Sequence, residues 1–146
     1  MKKYFIFFVF VISYNVLIKA GGDETSMKQR ALVCALLKKN NNSSIEKLLK
    51  ENVSPDFVIS DKTNLQYEGG VFWRTVFEKK MTPLMLAADM ITVLHQENLE
   101  LLQMLLDHGA DPLAQDAKKK TVLDYVYKKD SDSYNLLKAA QDKLKN

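Results

Sequence analysis

Few side chains in this chain are suited to chemistry. His95 and His108 are the only histidines and Cys34 is the only cysteine. Asp107 and His108, with Asp111 close behind, come nearest to a cation-binding group. Zinc and similar ions need three or four ligands at recurring short spacings, and no second His or Cys stands at such a spacing. Cys34 sits in the apolar run ALVCALL and reads as a small core hydrophobe. An activated thiolate would need a histidine or cation beside it, and no neighbour in the sequence has that role. The chain has no GxSxG, no Gly-rich phosphate loop and no HExxH, and nothing suggests a Ser-His-acid arrangement. We therefore expect no enzyme activity, no cofactor, no metal and no small-molecule substrate.

Charge narrows the partners further. The chain carries 21 Lys and Arg against 18 Asp and Glu. Its surplus lies in Lys2, Lys3 and Lys19, so the rest is neutral. Only Arg30 and Arg74 are arginine, whereas arginine leads in bidentate recognition of phosphates and bases. A neutral, Arg-poor body is not expected to bind nucleic acid. The short basic runs AKKKT and Lys128-Lys129 are flanked by Asp116, Asp124, Asp130 and Asp132 and read as a solvated face.

Residues suited to contact rather than reaction concentrate in NLQYEGGVFWRTVF, residues 64–77, which holds the only Trp. Glu68-Gly69-Gly70 resembles a hairpin turn between two short strands. Strand alternation would send Val71, Trp73, Thr75 and Phe77 one way and Phe72, Arg74 and Val76 the other. Both faces would then be apolar, and an isolated hairpin is marginal. One face is expected to pack on the body. Tyr67, Phe72, Trp73 and Arg74 are the candidate partner-binding residues, since Trp, Tyr and Arg dominate interface hot spots.

The elements that must position this stretch emerge from an internal repeat. LLKENVSP, residues 48–55, parallels LLDHGADP, residues 105–112. Asn52 and Gly109 occupy one position, where a left-handed residue ends a helix. MTPLMLAA, residues 81–88, parallels KTVLDYVY, residues 120–127, with Thr82 and Thr121 as helix caps and Pro83 at a first helical position. These segments resemble the ankyrin-repeat family: TPLMLAA is close to its T-P-L-H-x-A-A signature and LLDHGAD to its second-helix ending. The family's His after the Leu is replaced by Met85 and Asp124.

The resemblance covers about residues 28–146 and implies an all-α, helix-pair solenoid with an inserted β-hairpin. The expected repeats are about 28–56, 80–113 and 116–146, with the insertion at about 58–79. The first repeat would pair a helix at about 27–39 with a second opening at a Ser43-x-x-Glu46 capping box. The last would end in a helix at 132–145 with Tyr134, Leu137 and Leu144 inward. From Asp111 to Thr121 is 10 residues, but from Ser54 to Thr82 is 28, which isolates the insertion as an 18-residue gain. The middle repeat carries a smaller excess within ADMITVLHQEN, read as extra local packing. Such units cannot bury their apolar faces singly and must stack. The family implies a partner that is another protein.

The N-terminus reads as an address. MKKYFIFFVFVISYNVLIKAGG has a lysine pair, an apolar run of 15 residues and a small residue, Ala20, where a signal peptidase would cut. A spanning helix needs about 20 residues. Residues 1–20 are thus expected to be a secretory signal followed by a linker at 21–27, and the product to be secreted or periplasmic. Contact with a membrane is expected only if residues 1–20 stay attached.

Overall fold

The computed structural model describes residues 24–38, 41–59, 71–94 and 96–145, with backbone alone at 71–74 and 94. The expected signal with its cut at Ala20, the first half of the expected hairpin with Tyr67, and His95 lie outside the described residues. The described residues form six α-helices, one 3-10 helix and no strand. The helices are α1 (Glu24–Leu36), α2 (Asn42–Lys50), α3 (Val71–Lys79), α4 (Pro83–Leu94), α5 (Leu99–Asp107) and α6 (Asp132–Lys145). The 3-10 helix Val122–Tyr125 lies between α5 and α6.

The architecture is two layers of stacked elements. α1, α4 and the 3-10 helix pack in a row, while α2, α5 and α6 form the second row. Each first-row element also packs on its second-row partner: α1 on α2, α4 on α5, the 3-10 helix on α6. The core runs between the rows, through Leu32, Leu36, Ile45, Leu49, Leu102, Leu105, Val122 and Leu137. α4 is the hub. Its residues 84–88 are all no more than 1% exposed, so this stretch is buried on every side rather than along one stripe.

Local chemistry sets where the helices begin and end. Thr82 caps α4 through a bond from the Met85 N–H to its Oγ1 (3.3 Å), with Pro83 at the first helical position. α2 ends with Asn52 at φ 61°, its N–H bonded to Leu49 O and the Val53 N–H to Leu48 O. α5 ends alike, with Gly109 at φ 92° bonding Leu106 O and Ala110 bonding Leu105 O. This paired closure around one left-handed residue is the Schellman motif. A third copy closes α3, around Lys80 at φ 55°, with Lys80 N–H to Phe77 O (3.0 Å) and Met81 N–H to Val76 O (3.3 Å). Met81 and Val76, each 1% exposed, supply its apolar contact.

That third closure corrects the expected β-hairpin. Residues 71–79, read as the second strand, are helical. Val, Phe, Trp and Thr favour strands only where a neighbouring strand pairs with them. Without one, a strand leaves its N–H and C=O groups open, whereas a helix satisfies them internally. Val76 is buried and Phe77 packs half-buried against the core, yet among the described residues α3 lies broadly against no other helix.

Smaller departures have similar causes. α1 starts at Glu24 rather than near 27, extended by a Glu24–Lys28 ion pair of 2.6 Å one turn apart. The Ser43–Glu46 capping box does not form. α2 opens at Asn42, and Glu46 reaches forward to Lys50 (2.6 Å) instead of back. In the third unit only the 3-10 turn replaces the expected first helix. Thr92 on α4 donates to the Tyr125 carbonyl (3.0 Å) and accepts the Tyr127 N–H (3.3 Å), occupying groups that another helical turn would use. α6 spans Asp132–Lys145 as expected, but Leu144 is 60% exposed. Gln141 is buried in its stead, donating to the Pro112 carbonyl at 2.7 Å.

A truncation at the hub should therefore cost far more than one at the end. Leu86→Ala should lower the unfolding free energy by about 2–5 kcal/mol, and Leu144→Ala by less than about 0.5 kcal/mol, as read from urea unfolding.

Candidate functional site

Three of the four expected contact residues fall on α3, and Tyr67 lies outside the described residues. Phe72, Trp73 and Arg74 belong to the first turn of α3. Successive helical residues turn by about 100°, so their expected sorting onto two strand faces does not hold. Helical register instead puts Phe72 one turn ahead of buried Val76, Trp73 one turn ahead of half-buried Phe77, and Arg74 one turn ahead of exposed Glu78.

The C-terminal end of α3 leads into the best-built polar site. Asp116, 4% exposed, organises the loop after α5. One of its oxygens, Oδ1, accepts the Lys118 N–H (2.7 Å) and the Lys120 N–H (2.8 Å), while Oδ2 accepts the Tyr125 hydroxyl (2.6 Å). The Asp116 N–H donates to Lys120 O at 2.9 Å, and Lys119 takes φ 63° at the turn. This tight loop tip touches the preceding one, since the Ala117 N–H donates to the Lys79 carbonyl at 2.7 Å. The Lys79 ammonium sits 5.4 Å from the centre of the Tyr125 ring, within cation–π range.

The electrostatics follow from these contacts. Burial pushes the Asp116 carboxyl upward, but the Tyr125 hydroxyl and the Lys120 and Lys118 N–H groups outweigh it, and its pKa lies below the usual 3.8. Burial, with the Asp116 carboxylate as hydrogen-bond acceptor, drives the Tyr125 phenol well above its usual 10.0. Asp89, half-buried on α4, is raised by burial and partly offset by Lys79.

Other candidates have local duties. His108 Nδ1 lies 2.9 Å from the Met104 carbonyl, Asp107 accepts from Gln103 (2.6 Å), and Asp111 accepts the Leu113 N–H (2.7 Å). These bonds shape the end of α5 and the turn after it, and the described residues hold no group of three or more His, Cys, Asp or Glu placed to share a metal ion. Cys34 packs half-buried against the core. Burial raises its thiol pKa more than Arg30 and Lys38, one turn to either side, lower it. Away from the tips, an open groove of about 650 Å³ runs between the α1–α2 and α4–α5 turns, lined by Leu36, Asn42, Met90, Gln96 and Leu101 among others.

Sequence reasoning missed the Asp116–Tyr125 pair, because Asp116 stood out only as an acid beside a lysine run. It also missed three side-chain ties between units. Asn42 and Asn98 exchange amide hydrogen bonds (3.1 and 3.0 Å), joining the starts of α2 and α5. Asn98 also caps α5 by accepting the Leu101 N–H, 3.1 Å away. Glu97 accepts both the N–H (3.1 Å) and hydroxyl (2.7 Å) of Ser133 in the first turn of α6. With the Thr92 contacts, these place the extra residues of the middle unit in packing and capping duties.

Stacked helix pairs joined at protruding loop tips define a helical repeat protein. Residues 79–117 match the family model for the ankyrin repeat. The matched span starts at Lys79 and ends at Ala117, the two residues whose backbones bond between adjacent tips. No curated protein matches the chain.

Asp116 should be a large stabilising contributor with a readable pH signature. Asp116→Ala strands two N–H groups and a buried hydroxyl and should cost about 2–4 kcal/mol in urea unfolding. A depressed folded pKa means the contribution is complete above the unfolded value and fades as pH falls through the folded one. Wild type should thus lose stability below about pH 4 more steeply than Asp116→Asn. The raised phenol gives the opposite sign, a contribution lost as pH climbs past about 10, which Tyr125→Phe should remove.

Proposed function

We propose that this chain is a non-enzymatic protein-binding module that acts outside the cytoplasm and grips its partner with Tyr67, Phe72, Trp73 and Arg74. Its ankyrin repeat suggests protein–protein interaction, in a family that is generally non-enzymatic. The observation carrying the contact assignment is α3. It stands in a connection 18 residues longer than its counterpart, it is anchored near its C-terminal end, and the two rows stack without it. Aromatic and arginine residues on an element that belongs to neither stacked row suit a partner contact. The export reading is supported by the lysine pair, apolar run and Ala20 of residues 1–20.

Affinity capture from the native source tests the contact, with wild type and Trp73→Ala side by side. Wild type should retain a partner in stoichiometric amount. The variant should lose it by about tenfold or more while its urea midpoint stays within error. Equal capture by both proteins would remove the aromatic assignment. Intact mass tests the address: export predicts a mature protein starting at Gly21, and a species starting at Met1 in the membrane fraction would replace export with tethering.

A further inference from the structure

We propose that the two adjoining loop tips form a lysine edge that docks an acidic, Asp- and Glu-rich segment of a protein partner. This rests on the chain being a protein-binding module but uses residues other than the aromatic set. The Ala117-to-Lys79 backbone bond lays residues 79–80 beside residues 117–120. Lys80, Lys118, Lys119 and Lys120 are exposed there, and Lys79 is half-buried over Tyr125. None of the five enters an ion pair among the described residues. Two of the five have an acid within electrostatic reach: buried Asp116, bonded to three internal donors, acts on Lys120, and half-buried Asp89 on α4 acts on Lys79, while Asp124 accepts the Thr121 N–H at 2.8 Å, which leaves Lys80, Lys118 and Lys119 as the charges most open to a partner. Glu78 remains as one exposed carboxylate at the margin.

Backbone conformation gives the second, independent reason. Lys80 (φ 55°) and Lys119 (φ 63°) are left-handed, a region where a Cβ is disfavoured and glycine or asparagine is usual. At the equivalent closing position α2 has Asn52 and α5 has Gly109. Glycine would serve the fold better at both lysines, and neither side chain is buried. Their long cationic side chains are then retained against local preference, on two tips that touch. An outlier of this kind points towards function. The cluster is all lysine, with no arginine to form planar, bidentate pairs with phosphate. Mobile point charges suit several carboxylates on a pliable acidic segment, and the fold's link to protein partners favours that source over nucleic acid or lipid.

The test uses the full chain and a fluorescent oligo-glutamate peptide, with phosphatidylserine vesicles and duplex DNA as competing probes. The peptide should bind, most tightly at low salt. Lys80→Gly with Lys119→Gly should weaken it by about tenfold while Tm holds or rises. Lys118→Ala with Lys120→Ala should weaken it comparably without touching a left-handed residue. Lys138→Ala with Lys143→Ala, an equal charge loss on α6, should change it by less than about twofold. Unchanged affinity in both tip variants, or an equal loss in the α6 variant, overturns the lysine edge. Tighter binding to vesicles or DNA than to the peptide overturns the acidic-protein assignment, and a fall in Tm on Lys80→Gly with Lys119→Gly overturns the strain argument. Capture that is lost with Trp73→Ala but kept by both tip variants would sink the edge alone and leave the protein-binding reading standing.

Discussion

α4 cannot exist by itself in water. Over residues 84–88 it presents Leu, Met, Leu, Ala and Ala in succession, and all are sealed from solvent. A helix with one apolar stripe can be satisfied by one neighbour, whereas a helix apolar all round needs neighbours on every side. α1, α5 and the 3-10 helix provide them. The order of the chain follows from this requirement. A helix pair must precede α4 and another unit must follow α5, and each flanking unit can afford polarity on its outer side. α6 shows the result, with Leu137 inward and Lys138, Lys143 and Leu144 outward.

Apolar burial holds the units together but does not set their register. In this chain register comes from polar ties that differ at each junction. Met85 stands where the ankyrin signature has histidine, and it is 1% exposed and apolar. The reciprocal Asn42–Asn98 pair aligns the starts of α2 and α5, and Glu97 fixes the start of α6. Thr92 and Asp116 hold the 3-10 helix from its two sides. Each hydrogen bond is worth only about 0.5–1.5 kcal/mol net. Their joint effect is selectivity, because a shifted stack would bury these groups without partners.

What could be read from the sequence was what residue type determines locally. Asn52 and Gly109 tolerate the left-handed region, so both helix ends were legible, as were Thr82 and Pro83 at the start of α4. Lys80 closes α3 by the same geometry, yet lysine carries no signal for that conformation, and α3 was accordingly read as a strand. Its composition favoured the error, since Val, Phe, Trp and Thr are strand formers only in a sheet that the described residues do not contain. Asp116 was hidden for another reason. Its importance lies in a partner, Tyr125, nine residues away, brought close only by the tight turn that Asp116 itself stabilises. The aromatic candidates were legible as contact residues by type, but their arrangement depended on the choice between helix and strand.

α3 also ties the aromatic candidates to the loop tips. It is nine residues long, and at about 1.5 Å per residue it spans roughly 13 Å. Its first turn bears Phe72, Trp73 and Arg74, and its last residue is Lys79 of the lysine edge. An interface of ordinary size covers about 800 Å² on each partner, a patch close to 30 Å across. The backbone positions of Phe72, Trp73 and Arg74 and the lysine tip fit within one such footprint. Apolar anchors and exposed charges also divide the work of binding, the anchors governing how slowly a partner leaves and the charges how quickly it arrives. The Schellman closure at Lys80 fixes the angle between α3 and the tip, because Val76 and Met81 on either side of it are both buried. The C-terminal end of α3 is therefore held against the core where it meets the tip.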